Sequence, residues 1–156
     1  MTLVPLLEVL HVIGATVLFG TGAGIAFFML MAHRSGDPRI IAHTAGVVVI
    51  ADTAFTATAV VLQPVTGGML ALLAGYPILR GWIGLSLILY VVTGAFWLPV
   101  VWMQLRMRDL ARTAVAQSAS LPPEYHLLWR LWFACGFPAF GAVLGIIWLM
   151  VAKPDL

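Results

Sequence analysis

The chain is written in long apolar runs, with its polar residues gathered between them. Four stretches, at about 3–32, 44–62, 81–103 and 127–152, consist almost wholly of aliphatic, aromatic and small residues. About 20 such residues cross the hydrocarbon of a bilayer, so each stretch is one predicted span. Lipid cannot satisfy the open edge of a sheet, so the spans are helices. The expected fold is an all-α membrane protein, a four-helix transmembrane bundle forming a single domain over 1–156. No basic region precedes the first run, which is too long for a cleavable signal. It is read as a true span.

The connections carry the orientation. Arg34 and Arg39 follow the first run, and Arg106, Arg108, Arg112 and Arg130 lie around the third connection; only Arg80 and Lys153 lie on the other side. Basic residues accumulate on the cytoplasmic side, which predicts an N-out/C-out protein. Trp102, Trp129 and Trp132 then mark the inner interface, and Trp82 and Trp148 the outer one. Met103, Met107, Leu110 and Ala114 keep an apolar face opposite Arg106, Asp109 and Arg112, so the third helix should run past the membrane. It should stop before Leu121-Pro122-Pro123, because the residue ahead of proline avoids helical angles. The connection 63–79 holds Pro64, Gly67, Gly68, Gly75 and Pro77 around an apolar 69–74. It reads as a short interfacial helix lying on the outer leaflet as a lid.

Composition narrows the function classes. The chain is 62% hydrophobic and 9% charged, against roughly 25% charged in soluble domains, so lipid must solvate much of its surface. Eight basic and six acidic residues are too few for a nucleic-acid groove. The single cysteine, Cys135, excludes an intrachain disulfide framework. There is no phosphate-binding glycine loop, no nucleophile elbow and no paired-cysteine motif.

What remains is a handful of polar residues in apolar surroundings. His11 falls at the outer boundary of the first span. A neutral imidazole is a good metal or haem ligand, and its second nitrogen needs an orienting acceptor, which Glu8 can supply from the same helical side. Gly14, Leu18 and Gly22 continue that face with little bulk, leaving room for a flat macrocycle or for another helix. Asp52 lies about nine residues inward from His43, near the predicted midplane. A central aspartate costs about 2.5–3.5 kcal/mol on insertion scales. It is either a proton-relay or cofactor-side group or an interhelical hydrogen bond. Tyr90, at similar depth, is its expected partner, with Thr53, Thr56 and Thr93 nearby. Arg80 lies level with His11, within reach of Glu8 or of lipid headgroups. At the inner boundary His33, His43 and His126 form a looser set; three imidazoles can bind copper or zinc, or simply be solvated.

The opening Leu6-Leu7-Glu8-Val9-Leu10-His11, a glycine-bearing apolar run, Phe27-Phe28-Met29 and His33-Arg34 together resemble helix one of a bacterial membrane superfamily. That superfamily holds the haem-containing membrane protoporphyrinogen oxidases and the copper-resistance protein D group. Over nearly its whole length the chain resembles more closely the predicted integral membrane proteins of domain-of-unknown-function family 2269. The segments that carry this likeness are 22–35, Ala51-Asp52-Thr53-Ala54-Phe55-Thr56, Gln63-Pro64-Val65-Thr66-Gly67, Trp97-Leu98-Pro99-Val100-Val101-Trp102 and Arg130-Leu131-Trp132-Phe133. In the oxidase branch the helix-one histidine implies haem b ligation, and His11 matches that position. Glu8 stands where the oxidases tend to have a lysine, so the resemblance implies the haem rather than oxidation of protoporphyrinogen.

The resulting expectation is a haem b-binding redox protein of the bacterial inner membrane. His11 would be the axial ligand, Arg80 would anchor propionates, and Asp52 and Tyr90 would carry protons or contact a quinone. The alternatives are a copper-handling protein, as the copper-resistance relatives imply, and a small non-catalytic subunit of a larger complex. The glycine-lined faces would hold the partner subunit, or a second copy of the chain.

Overall fold

The computed structural model describes residues 3–155. Four helices in it are long and apolar enough to cross a membrane, and no strand occurs among the described residues. The first is α1 (Leu3–Ser35). The second comprises α2 (Pro38–Ala51), a π-helical turn at Asp52–Thr56 and α3 (Ala57–Leu73). The third is α4 (Gly81–Ala116) and the fourth α5 (Pro123–Ala152).

The ends follow local chemistry. Asp37 caps α2 by accepting from the Arg39 N–H at 2.8 Å, with Pro38 at the first helical position, where a missing N–H costs nothing. Pro123 opens α5 in the same way, and Lys153 closes it in the left-handed region, φ 43°. As predicted, α4 outruns the bilayer: its 36 residues extend roughly 54 Å against about 30 Å of hydrocarbon.

The predicted lid helix at 69–74 does not exist as a separate element. Residues to Leu73 belong to α3, which runs straight through Pro64, Gly67 and Gly68. In a membrane a broken helix strands its backbone groups, so other groups must replace what proline removes. Proline 64 has no N–H for the carbonyl four residues earlier. That carbonyl, Val60 O, instead accepts from the Tyr90 hydroxyl of α4. Tyr90 is therefore committed to mending the proline gap, and is not the partner of Asp52 that similar depth suggested.

The helices do not pack evenly along their length. At the arginine-rich end all four elements meet around Met29, Ile41, Met107 and Tyr125, which are fully buried, with Met103, Trp129 and Trp132 beside them. Toward the other end α3 packs on α1, and α4 on α5. Phe19 and Phe140, stacked with centroids 5.0 Å apart, bridge α1 and α5 there.

Candidate functional site

Two polar clusters lie inside the bundle, one in each half. The first is built on His11. Its Nδ1 lies 2.8 Å from Thr66 Oγ1 of α3. Thr66 Oγ1 also donates to Leu62 O at 2.8 Å, one turn back. A hydroxyl has one proton; given to Leu62, it leaves Thr66 to accept from His11. In that arrangement the imidazole carries its proton on Nδ1 and its lone pair on Nε2; were the hydroxyl to donate to Nδ1 instead, the tautomer would be the reverse. Gln63 Nε2 donates to His11 O at 2.7 Å, so α3 also grips the α1 backbone at the same residue.

Glycines make this approach possible. A Cβ at Gly67 would lie 2.9 Å from His11 Cε1, and one at Gly14 would lie 2.3 Å from Gln63 Nε2. The face below His11, with room for a flat macrocycle or another helix, is taken at Gly14 by α3 through the Gln63 side chain. Gly22 remains open, with nothing within 4 Å of a Cβ there. Glu8 and Arg80 are exposed. Neither enters an ion pair among the described residues, and the hydrogen-bond partner of His11 Nδ1 is Thr66 rather than Glu8.

The second cluster surrounds Asp52, which is 4% exposed. Its Oδ1 accepts from Trp97 Nε1 at 3.3 Å. With the Gln104 amide assigned so that both its ends are satisfied, the amide nitrogen donates to Asp52 Oδ2 at 3.3 Å and the amide oxygen accepts from Trp132 Nε1 at 3.2 Å. Thr56, one turn on, is buried and its hydroxyl has no hydrogen-bond partner among the described residues. The π-helical turn carries both residues; such turns are frequent at functional sites.

Gln104 is two residues from Arg106, about 3 Å along the axis. Arg112 lies over Gly46, with Nη2 3.4 Å from the place of a Cβ. Asp52 is six residues beyond Gly46, about 9 Å. Thr53 and Thr93 donate to carbonyls of their own helices, Val49 O and Leu89 O.

The three histidines near the arginine-rich end do not converge. His33 stacks on Trp129, centroids 4.1 Å apart and planes 12° from parallel, with Nδ1 3.4 Å from the Tyr125 hydroxyl. His126 meets it edge-on at 6.1 Å, while His43 is exposed. No three histidine, cysteine or acidic side chains gather as a metal cage among the described residues. His33 joins an aromatic stack instead, because Trp129 and Tyr125 lie one turn apart on α5 and His33 slots against both, while His43 takes no part in it.

Thr66, Gln63, Gln104 and Trp97 do not stand out as site residues in the sequence, and Trp132 reads there only as an interface marker. Gln104 left a signal: it is seven residues from Trp97, hence on the same helical face, at the edge of an apolar run. Thr66 and Gln63 left less, since Pro64 and Gly67 made their segment look like a loop.

No curated protein and no solved structure matches the chain. Residues 5–154 match the family described as predicted integral membrane protein, DUF2269. With four membrane-length helices and nearly the whole chain covered, the protein belongs to that family of integral membrane proteins.

Proposed function

We propose that this protein binds one haem b through His11 and serves as a redox protein in a bacterial cytoplasmic membrane, with its arginine-rich end facing the cytoplasm. One observation carries the reading: His11 Nδ1 is bonded to Thr66 Oγ1, and Nε2 has no hydrogen-bond partner among the described residues. Metal-ligating histidines nearly always give their other N–H to a fixed acceptor, which sets tautomer and ring angle. Gln63 and Gly67 add to this by fixing the backbone and the ring edge. A haem needs only an axial side chain, so a scattered set of other histidines does not count against it.

The fit covers the ligand and its support. It does not extend to the glycine face at Gly14, which Gln63 fills, nor to Arg80 and Glu8, which stand apart from His11. When bound, the haem would supply one-electron chemistry. The chain's own contribution is to hold the imidazole and its tautomer. The Asp52 cluster takes no part in this reading.

The test is an absorption spectrum, oxidised and reduced, of protein purified in mild detergent from haem-sufficient cells. A Soret band is expected, absent in His11→Ala. In Thr66→Val, haem affinity should fall by about 10–100-fold, the usual cost of losing an orienting partner. A folded but colourless wild-type protein would end the proposal.

A further inference from the structure

A groove runs down the outer surface of α4 at the end remote from the arginines. It is an open cleft of about 700 Å³, lined by Leu79, Gly84, Leu85, Ile88 and Val91, with Arg80 at its mouth. The groove exists because position 84 is glycine: a Cβ there would stand 2.8 and 2.9 Å from the carbonyl carbon and oxygen of Leu79. The turn before α4 can therefore fold down on the helix, and Leu79 forms an overhanging wall. The floor faces lipid, since Ile88 and Val91 are 62% and 70% exposed.

Charge and length select an occupant. Arg80 is exposed and has no carboxylate partner among the described residues. Lys153 adds a second cation nearby, its Nζ 6.0 Å from the ring centroid of Trp82. From Arg80 to Val92 is twelve residues, roughly 18 Å along the helix. One leaflet of hydrocarbon is about 15 Å deep. A cationic mouth over an apolar channel one leaflet deep matches a single acyl chain hanging from a negative headgroup, and guanidinium suits a phosphate in particular.

From this geometry we infer that the groove is a binding site for an anionic phospholipid, with its phosphate on Arg80 and one acyl chain along Leu85, Ile88 and Val91. The site is independent of His11 and of any haem.

The full chain is reconstituted in bilayers of equal phosphatidylglycerol and phosphatidylcholine, re-extracted in mild detergent, and its retained lipid measured by native mass spectrometry. Phosphatidylglycerol should be retained about fivefold over phosphatidylcholine, the preference one interfacial arginine supplies. Arg80→Gln should erase the preference, and Val91→Trp, which fills the groove from an exposed position, should remove retained lipid of both kinds. Equal retention of the two lipids by the wild type would overturn the site, leaving only annular lipid. So would a preference that survives Arg80→Gln, or a second copy of the chain retained in place of lipid.

Discussion

At the arginine-rich end four helices close around Tyr125, Trp129, Trp132 and Met107, whereas at the end carrying the termini they pair as α1 with α3 and α4 with α5. The first half is filled by bulk. Its aromatic rings stack in series, Trp129 on Trp132 at 5.3 Å and on Phe133 at 5.7 Å, and Gln104 ties Trp132 to Asp52. The second half uses the absence of bulk: Gly14 and Gly67 let α1 and α3 approach until His11, Gln63 and Thr66 can bond directly. In lipid, apolar contact between helices gains little over contact with acyl chains, so close packing and interhelical hydrogen bonds hold a bundle together. The two ends meet that requirement in opposite ways, and the candidate ligand lies where the helices are held by few, specific contacts.

The largest effect expected is in the bulk-filled half. Trp132→Ala should cost about 3–5 kcal/mol, read as a lowered unfolding midpoint in detergent, and should leave the Gln104 amide oxygen without its donor. Phe140→Ala, which breaks the ring pair with Phe19 in the other half, should remove a stacking term of only about 1 kcal/mol. Equal losses from the two substitutions would show that the halves are not packed differently.

A smaller contrast separates the two kinds of glycine. Gly67→Ala drives a methyl against the His11 ring and should cost about 1–3 kcal/mol through overpacking, with haem affinity falling alongside. Gly22→Ala meets open space and should change stability by less than about 0.5 kcal/mol. If Gly67→Ala were as silent as Gly22→Ala, the clasp between α1 and α3 would be looser than described.

The smallest effect is the most diagnostic of how the second span survives its proline. Tyr90→Phe should lose about 0.6 kcal/mol, the average for an interhelical hydrogen bond in a membrane. In a Pro64→Ala background the same change should be nearly neutral, because the restored N–H serves Val60 O. Additive losses in that double-mutant cycle would mean that Tyr90 does something else.

Much of the fold is legible along the chain. The number of spans follows from four apolar runs, and the cap at Asp37 and the start at Pro123 follow from residue type. The segment 63–73 is the exception. Proline and two glycines read as breakers, since what rescues them, the Tyr90 hydroxyl, lies 30 residues from Val60. The site was legible by half. His11 and Asp52 stand out as polar residues in hydrocarbon, yet their partners Thr66, Gln63, Trp97 and Gln104 lie 45 to 55 residues away. Tyr90, at similar depth to Asp52, is engaged with Val60 O, and Glu8, close to His11 in sequence, has no ion pair among the described residues.

The sequence by itself determined that this is a membrane protein of four helical spans, with its cations gathered at one end. Those properties are sums of transfer free energies over neighbouring residues, and a sum needs no knowledge of what lies across the bundle. Only the tertiary structure decided that His11 is held by Thr66, that Asp52 is bonded to the Trp97 indole and the Gln104 amide, and that Tyr90 serves a proline. Each of these depends on the rotation and axial register of one helix against another. A shift of a single residue, about 1.5 Å and 100° of turn, would exchange every partner while leaving the hydropathy pattern unchanged.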